Sequence, residues 1–180
     1  MARYHVETLA ASQRLISREQ GQRGRIAAAR VRRSISTSYY ALFHFLLEEC
    51  ANRVVGTGPA LLRRRRIIAR VLAHKGMKVA LGKVKGTKVD ASVIDYFGAV
   101  APPPFMRVMA EAFLRAQDQR LEADYDLNAS LSELDARILI GSVKSAISLW
   151  QKTNGPKDRD FKNALCLLMV LQGKLRRDES

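Results

Sequence analysis

An arginine and a histidine set to share one side of a helix, and a run of consecutive arginines, are the features of this chain that could do chemistry. Arg33 and His44 stand eleven positions apart. On one helix that is roughly three turns, so they project in nearly the same direction, about 16 Å apart. Arg63, Arg64, Arg65, Arg66 and Arg70 suit contacts to a phosphate backbone, which confer affinity without reading sequence. The alternative for them is a charged surface or an acidic protein partner. His74, Lys75 and Lys78 would follow at the end of the Arg-rich helix, there to bind a phosphate or to complement the helix dipole. Tyr4, Tyr39 and Tyr40 offer rings for base stacking, or for the core, where aromatics at helical spacing usually go. Cys50 and Cys166 have no metal-ligand spacing and read as small core hydrophobes. No phosphate-cradling Gly loop or Ser–His–Asp pattern is present, so the sequence predicts no metal and no cofactor.

The charge is unevenly placed. The 180 residues carry 31 Lys and Arg against 17 Asp and Glu, a net of +14, and the whole excess lies in residues 1–90. Cys50 to Val89 holds 11 basic residues and no acid. A field of that kind attracts polyanions, which points to RNA or another polyanion as partner. Met1 to Ala11 contains Arg3, His5 and Glu7 in place of an apolar core, and nothing approaches 18 apolar residues in a row. The expectation is a cytoplasmic protein with no membrane segment.

Periodicity supplies the elements that must position these residues. Ile35, Tyr39, Leu42, Phe43, Leu46, Leu47 and Cys50 recur every three or four residues, predicting a long central helix over Arg30–Val55. A first helix is predicted over Tyr4–Gln20 and a third over Ala60–His74. From Lys75 to Pro104 the pattern loosens around Gly76, Gly82 and Gly86, with a helical turn at Ala91–Phe97. A fourth helix is expected over Phe105–Leu121, then a turn at Ala123–Ser130. A fifth, capped by Ser132 or Asp135, should run to Trp150 with Leu134, Ile138, Leu139 and Val143 inward. A linker over Gln151–Asp160 would lead to a last helix, Phe161–Leu175, apolar on most sides. The fold class is therefore all-α: an up-and-down helical bundle of four to five helices over residues 1–150. Residues 151–180 add a linker and a C-terminal helix that packs on the bundle or on a partner.

Three stretches resemble the HEPN domain, a helical bundle of prokaryotic toxin–antitoxin and defence systems. Arg32-Arg33-Ser34-Ile35-Ser36-Thr37-Ser38-Tyr39-Tyr40-Ala41-Leu42-Phe43-His44 is similar to the central helix of standalone HEPN proteins. Ala73-His74-Lys75-Gly76-Met77-Lys78 is similar to a turn after the third helix. Gln119-Arg120-Leu121-Glu122-Ala123-Asp124-Tyr125-Asp126 is similar to a third segment, with Leu127 where a proline is usual.

The resemblance implies a homodimer, an association with RNA, and an antitoxin or nucleotidyltransferase partner. Many members are metal-independent ribonucleases. In them an arginine stabilises the phosphorane charge and a histidine four to six residues later takes the ribose 2′-proton. Here Arg120 is followed by no histidine in reach. Two expectations stand side by side. In one, Arg120, His44, Tyr125 and Asp124 form a remodelled site. In the other, His44 and Tyr40 join Asp124 or Arg120 in a polar network that fixes helix packing, and the chain is a non-catalytic interaction module.

Overall fold

The computed structural model describes residues 4–17 and 26–174, and among them the chain forms eight α-helices and no strand. They are α1 (Tyr4–Leu15), α2 (Ala28–Val55), α3 (Leu62–Val71), α4 (His74–Gly82), α5 (Ile94–Phe97), α6 (Pro104–Tyr125), α7 (Glu133–Lys152) and α8 (Pro156–Val170). The all-helical class read from periodicity is therefore observed. None of these helices is long and apolar enough to cross a membrane. Contacts divide the chain into two compact units, Met1–Phe45 with Ala112–Ser148, and Leu46–Glu111 with Leu149–Ser180.

In the first unit Ile35, Tyr39, Leu42, Phe113, Ala116, Leu139 and Val143 are buried, which is the stripe the period of three and four picks out. Serines close the seam between α1 and α2. The Ser12 hydroxyl meets the Ser34 carbonyl at 3.0 Å, and the Ser34 hydroxyl donates to the Ser12 carbonyl at 2.9 Å. Small side chains whose hydroxyls satisfy one another let two backbones approach without stranding a polar atom. Helix ends are closed from a distance. Arg30 Nε donates to the Leu15 carbonyl (2.8 Å) and its Nη2 to that of Ser17 (3.1 Å). Arg137 Nη2 reaches the Ile16 carbonyl at 3.1 Å.

The second unit buries Cys50, Met77, Leu81, Val84, Phe105, Met109, Trp150, Leu165, Cys166 and Met169. Here α4 packs on α8, and Gly76 makes the approach possible, because a Cβ there would lie 2.8 Å from Gln172. Lys162, wholly buried on α8, donates to the Trp150 carbonyl (2.7 Å) and to that of Thr153, closing the end of α7. Its Nζ lies 5.3 Å from the ring centroids of both Phe105 and Trp150.

Several boundaries differ from the sequence expectation. The Arg-rich helix ends at Val71, because Leu72 turns extended and is buried. The supposedly loose stretch after it is α4, whose buried Met77, Ala80 and Leu81 stand at helical spacing among lysines. Helix α6 continues through Ala123 to Tyr125, where a turn was expected. Helix α8 starts five residues early, with Pro156 in the first turn and Asp158 accepting the Gly155 N–H at 3.0 Å. Leu134 and Ile138 are exposed, since Ala136, Leu139, Ile140 and Val143 define the inner face of α7. The first helix ends at Leu15, short of the expected Gln20, with Ile16 and Ser17 already non-helical; Arg18 to Gln20 lie outside the described residues.

Candidate functional site

The first and third motifs meet in the first unit. Arg32 Nη1 donates to the carbonyls of Ala123 (3.1 Å) and Asp126 (2.8 Å), and Nη2 to those of Leu127 (3.3 Å) and Ala129 (2.8 Å). One guanidinium thus gathers the carbonyls left open where α6 stops. One helical turn earlier, Arg120 Nε pairs with Asp124 at 2.7 Å, and Nη2 donates to the Tyr40 hydroxyl at 3.1 Å. The rings of Tyr39, Tyr40 and Tyr125 surround Arg120, with centroids 6.0, 5.6 and 5.5 Å from its guanidinium carbon. Asp124 also accepts a long hydrogen bond from Ser36, at 3.4 Å.

This arrangement sets the electrostatics. Burial alone would lower the Arg120 pKa, but Tyr40, Asp124 and Tyr125 outweigh it and raise it. Burial pushes the Tyr39 phenol far up, against the pull of Arg120. His44 is half-buried, and burial lowers its pKa, favouring the neutral ring. It stands edge-on to Tyr4, 4.6 Å between centroids, and 6.4 Å from the Tyr40 ring. Arg120, Asp124 and Tyr125 are therefore brought together, and His44 adjoins them through Tyr40. A cation already paired with a carboxylate and a phenol is a brace between helices. To hold a scissile phosphate it would first have to release them.

Beside Tyr4 lies an open groove of about 660 Å³, lined among others by Tyr4, Glu7, Arg14, Arg30, Arg33 and Thr37. Arg30 is engaged with the carbonyls ending α1. Arg14 and Arg33 are exposed and form no ion pair among the described residues. Tyr4 is 60% exposed, so much of its surface is open to a planar ligand. Sequence reasoning singled out Arg33 and Tyr4 but missed Arg14. The missed signal is helical: Glu7, Arg14 and the Tyr4 ring share one side of α1.

The remaining basic residues are in the second unit. Arg63, Arg64, Arg66 and Arg70 are exposed on α3, and none is in an ion pair among the described residues. Arg65 is different: its Nη1 donates to the carbonyls of Gly56 and Gly58, both at 2.9 Å. His74 opens α4 and does not close the Arg-rich helix, so the dipole there has the opposite sign from the one expected. Lys75 and Lys78 are exposed on the same helix. No cluster of His, Cys, Asp and Glu suited to a metal occurs among the described residues. No protein-family model, curated protein or solved structure matches the chain.

Proposed function

We propose that the chain is a HEPN-like helical bundle of toxin–antitoxin or defence type that binds single-stranded RNA without cutting it. The carrying observation is the groove lined by the exposed ring of Tyr4 together with two guanidiniums, Arg14 and Arg33, that form no ion pair among the described residues. Phosphates pair with the guanidiniums and a base stacks on the ring, the combination that single-strand readers use. The acid-free run from Cys50 to Val89 adds the long-range field that steers a polyanion. The non-cleaving part of the reading is supported by Arg120, whose guanidinium is ion-paired with Asp124 and donates to the Tyr40 hydroxyl. Homodimerisation belongs to the same reading through the family resemblance, and sedimentation of the purified chain tests it.

The test is fluorescence anisotropy with a labelled single-stranded RNA across a salt series. Affinity should fall linearly with salt on logarithmic axes, by about 0.7 per phosphate contacted. The double substitution R14Q/R33Q should weaken binding about tenfold or more, and the RNA should be recovered intact without metal. Undiminished binding in R14Q/R33Q ends the groove reading. Metal-free cleavage abolished by both Arg120→Ala and His44→Ala restores the nuclease reading.

A further inference from the structure

We propose that the outward face of α3 is a docking surface for an acidic amphipathic helix of a partner protein. At 100° per residue, Arg66, Arg70, Arg63, Ile67, Val71 and Arg64 follow one another around an arc of about 160°. Every one of these six is exposed. Leu62, Arg65, Ile68 and Ala69 make up the inner side, each partly shielded. Ile67 and Val71, one turn apart, are 54% and 43% exposed, with Arg63 and Arg70 on one flank and Arg64 on the other. No residue of α3 is fully buried. Two branched apolar side chains therefore stand exposed in the middle of a field of cations that form no ion pair among the described residues.

The chemistry of that strip selects its occupant. Nucleic acid would pair with the guanidiniums but leave Ile67 and Val71 against sugar and phosphate, and the face has no ring on which a base could stack. A membrane surface calls for a broader apolar face carrying Trp, Phe or Leu, which a ten-residue helix with two branched residues does not offer. A helix with Leu or Ile one turn apart and carboxylates on both flanks meets both demands. Its apolar side chains cover Ile67 and Val71, and its carboxylates pair with Arg63, Arg66 and Arg70 on one side and Arg64 on the other. Those carboxylates cannot come from the surrounding sequence, because Cys50 to Val89 contains no acid. The surface is thus complementary to a protein segment, and it shares no residue with the groove assigned to RNA.

The experiment titrates the full chain into a labelled synthetic peptide of about 20 residues, long enough to hold a helix. The peptide carries Leu at helical core spacing flanked by Glu, and a control replaces each Leu by Ser. The Leu peptide should bind at least about tenfold tighter than the Ser control, the difference that burying a few apolar side chains supplies. I67S/V71S should weaken the Leu peptide about tenfold and leave RNA affinity unchanged. R63Q/R66Q/R70Q should weaken it similarly and flatten its salt dependence. If I67S/V71S did not fold, the two peptides on the unaltered chain would decide the same question. Equal binding of the two peptides, or none, overturns the proposal. So does an RNA affinity that falls in I67S/V71S as far as the peptide's, which would assign the strip to nucleic acid. A dimer of this chain broken by I67S/V71S would also overturn it, by making the strip a self-interface.

Discussion

In the first unit, Arg30, Arg32 and Arg137 reach the ends of helices, and Arg120 is enclosed by a carboxylate and three rings. In the second, Arg63, Arg64, Arg66 and Arg70 are exposed along one helix and form no ion pair among the described residues. The residue type is the same, so the difference lies in what comes within reach. A helix C-terminus presents carbonyls without partners and a partial negative charge, and a guanidinium offers five donors in a fixed fork. Where the two meet, the cation becomes part of the fold. The second unit follows the rule where it can. Arg65 reaches the carbonyls of Gly56 and Gly58, and buried Lys162 closes α7. Total charge says little about function until these structural cations are set aside.

The comparison breaks most visibly at Arg32. Arg32→Ala removes donors from a cluster of carbonyls at the end of α6 and should cost roughly 3 kcal/mol of folding stability, given charged hydrogen bonds and a lost cap. Urea unfolding measures it, and a change below about 1 kcal/mol would show that the carbonyls find other donors. Arg120→Ala comes next, at about 2 kcal/mol, because the partly buried ion pair with Asp124 and the bond to Tyr40 go together. RNA affinity should be unaffected in that variant. A drop in affinity at unchanged stability would move Arg120 from the brace to the binding site.

These contacts explain what the sequence could and could not reveal. Helix α2 is legible because its buried face follows the helical period over 28 residues. Helix α4 is hidden because Gly76 looks like a breaker, whereas it is the point where Gln172, just past the end of α8, comes close. The end of α6 was misplaced because its cap, Arg32, lies about ninety positions away in sequence, and local patterns carry no trace of it. In the candidate site, Arg120 does lie against the helix that carries Tyr40. The sequence could not say that Arg120 is ion-paired with Asp124. That depends on rotamers and on the extra turn by which α6 overruns its expected end.

A smaller effect separates His44 from the arginines, which stay charged at any ordinary pH. Burial lowers its pKa, so the unfolded chain binds the proton first as pH falls below the usual histidine value of about 6.5. Stability should be full above that value, decline as pH drops through it, and level off below the depressed folded value. His44→Gln removes the titration, so the difference between variant and parent in urea midpoint should change across that window. A difference that stays constant from pH 7.5 to about 5 would show that the ring titrates alike in both states.

The smallest expected effect gives the sharpest form of the contrast, because it lies within one helix. Gln matches Arg in helix propensity, so R63Q/R64Q/R66Q/R70Q removes charge without disturbing the backbone. Arg63 and Arg66, and Arg66 and Arg70, are neighbours on one face, and like charges at that spacing destabilise by about 0.2–0.5 kcal/mol per pair. The quadruple variant should therefore match the parent in stability or exceed it slightly. Arg65→Gln alters only one charge, yet it should cost about 1 kcal/mol, because the carbonyls of Gly56 and Gly58 lose their donor. Thermal melts of the two proteins side by side decide the matter. If the quadruple variant were the less stable one, the exposed arginines would be holding the fold, and the surface read here as open to a partner would already be occupied.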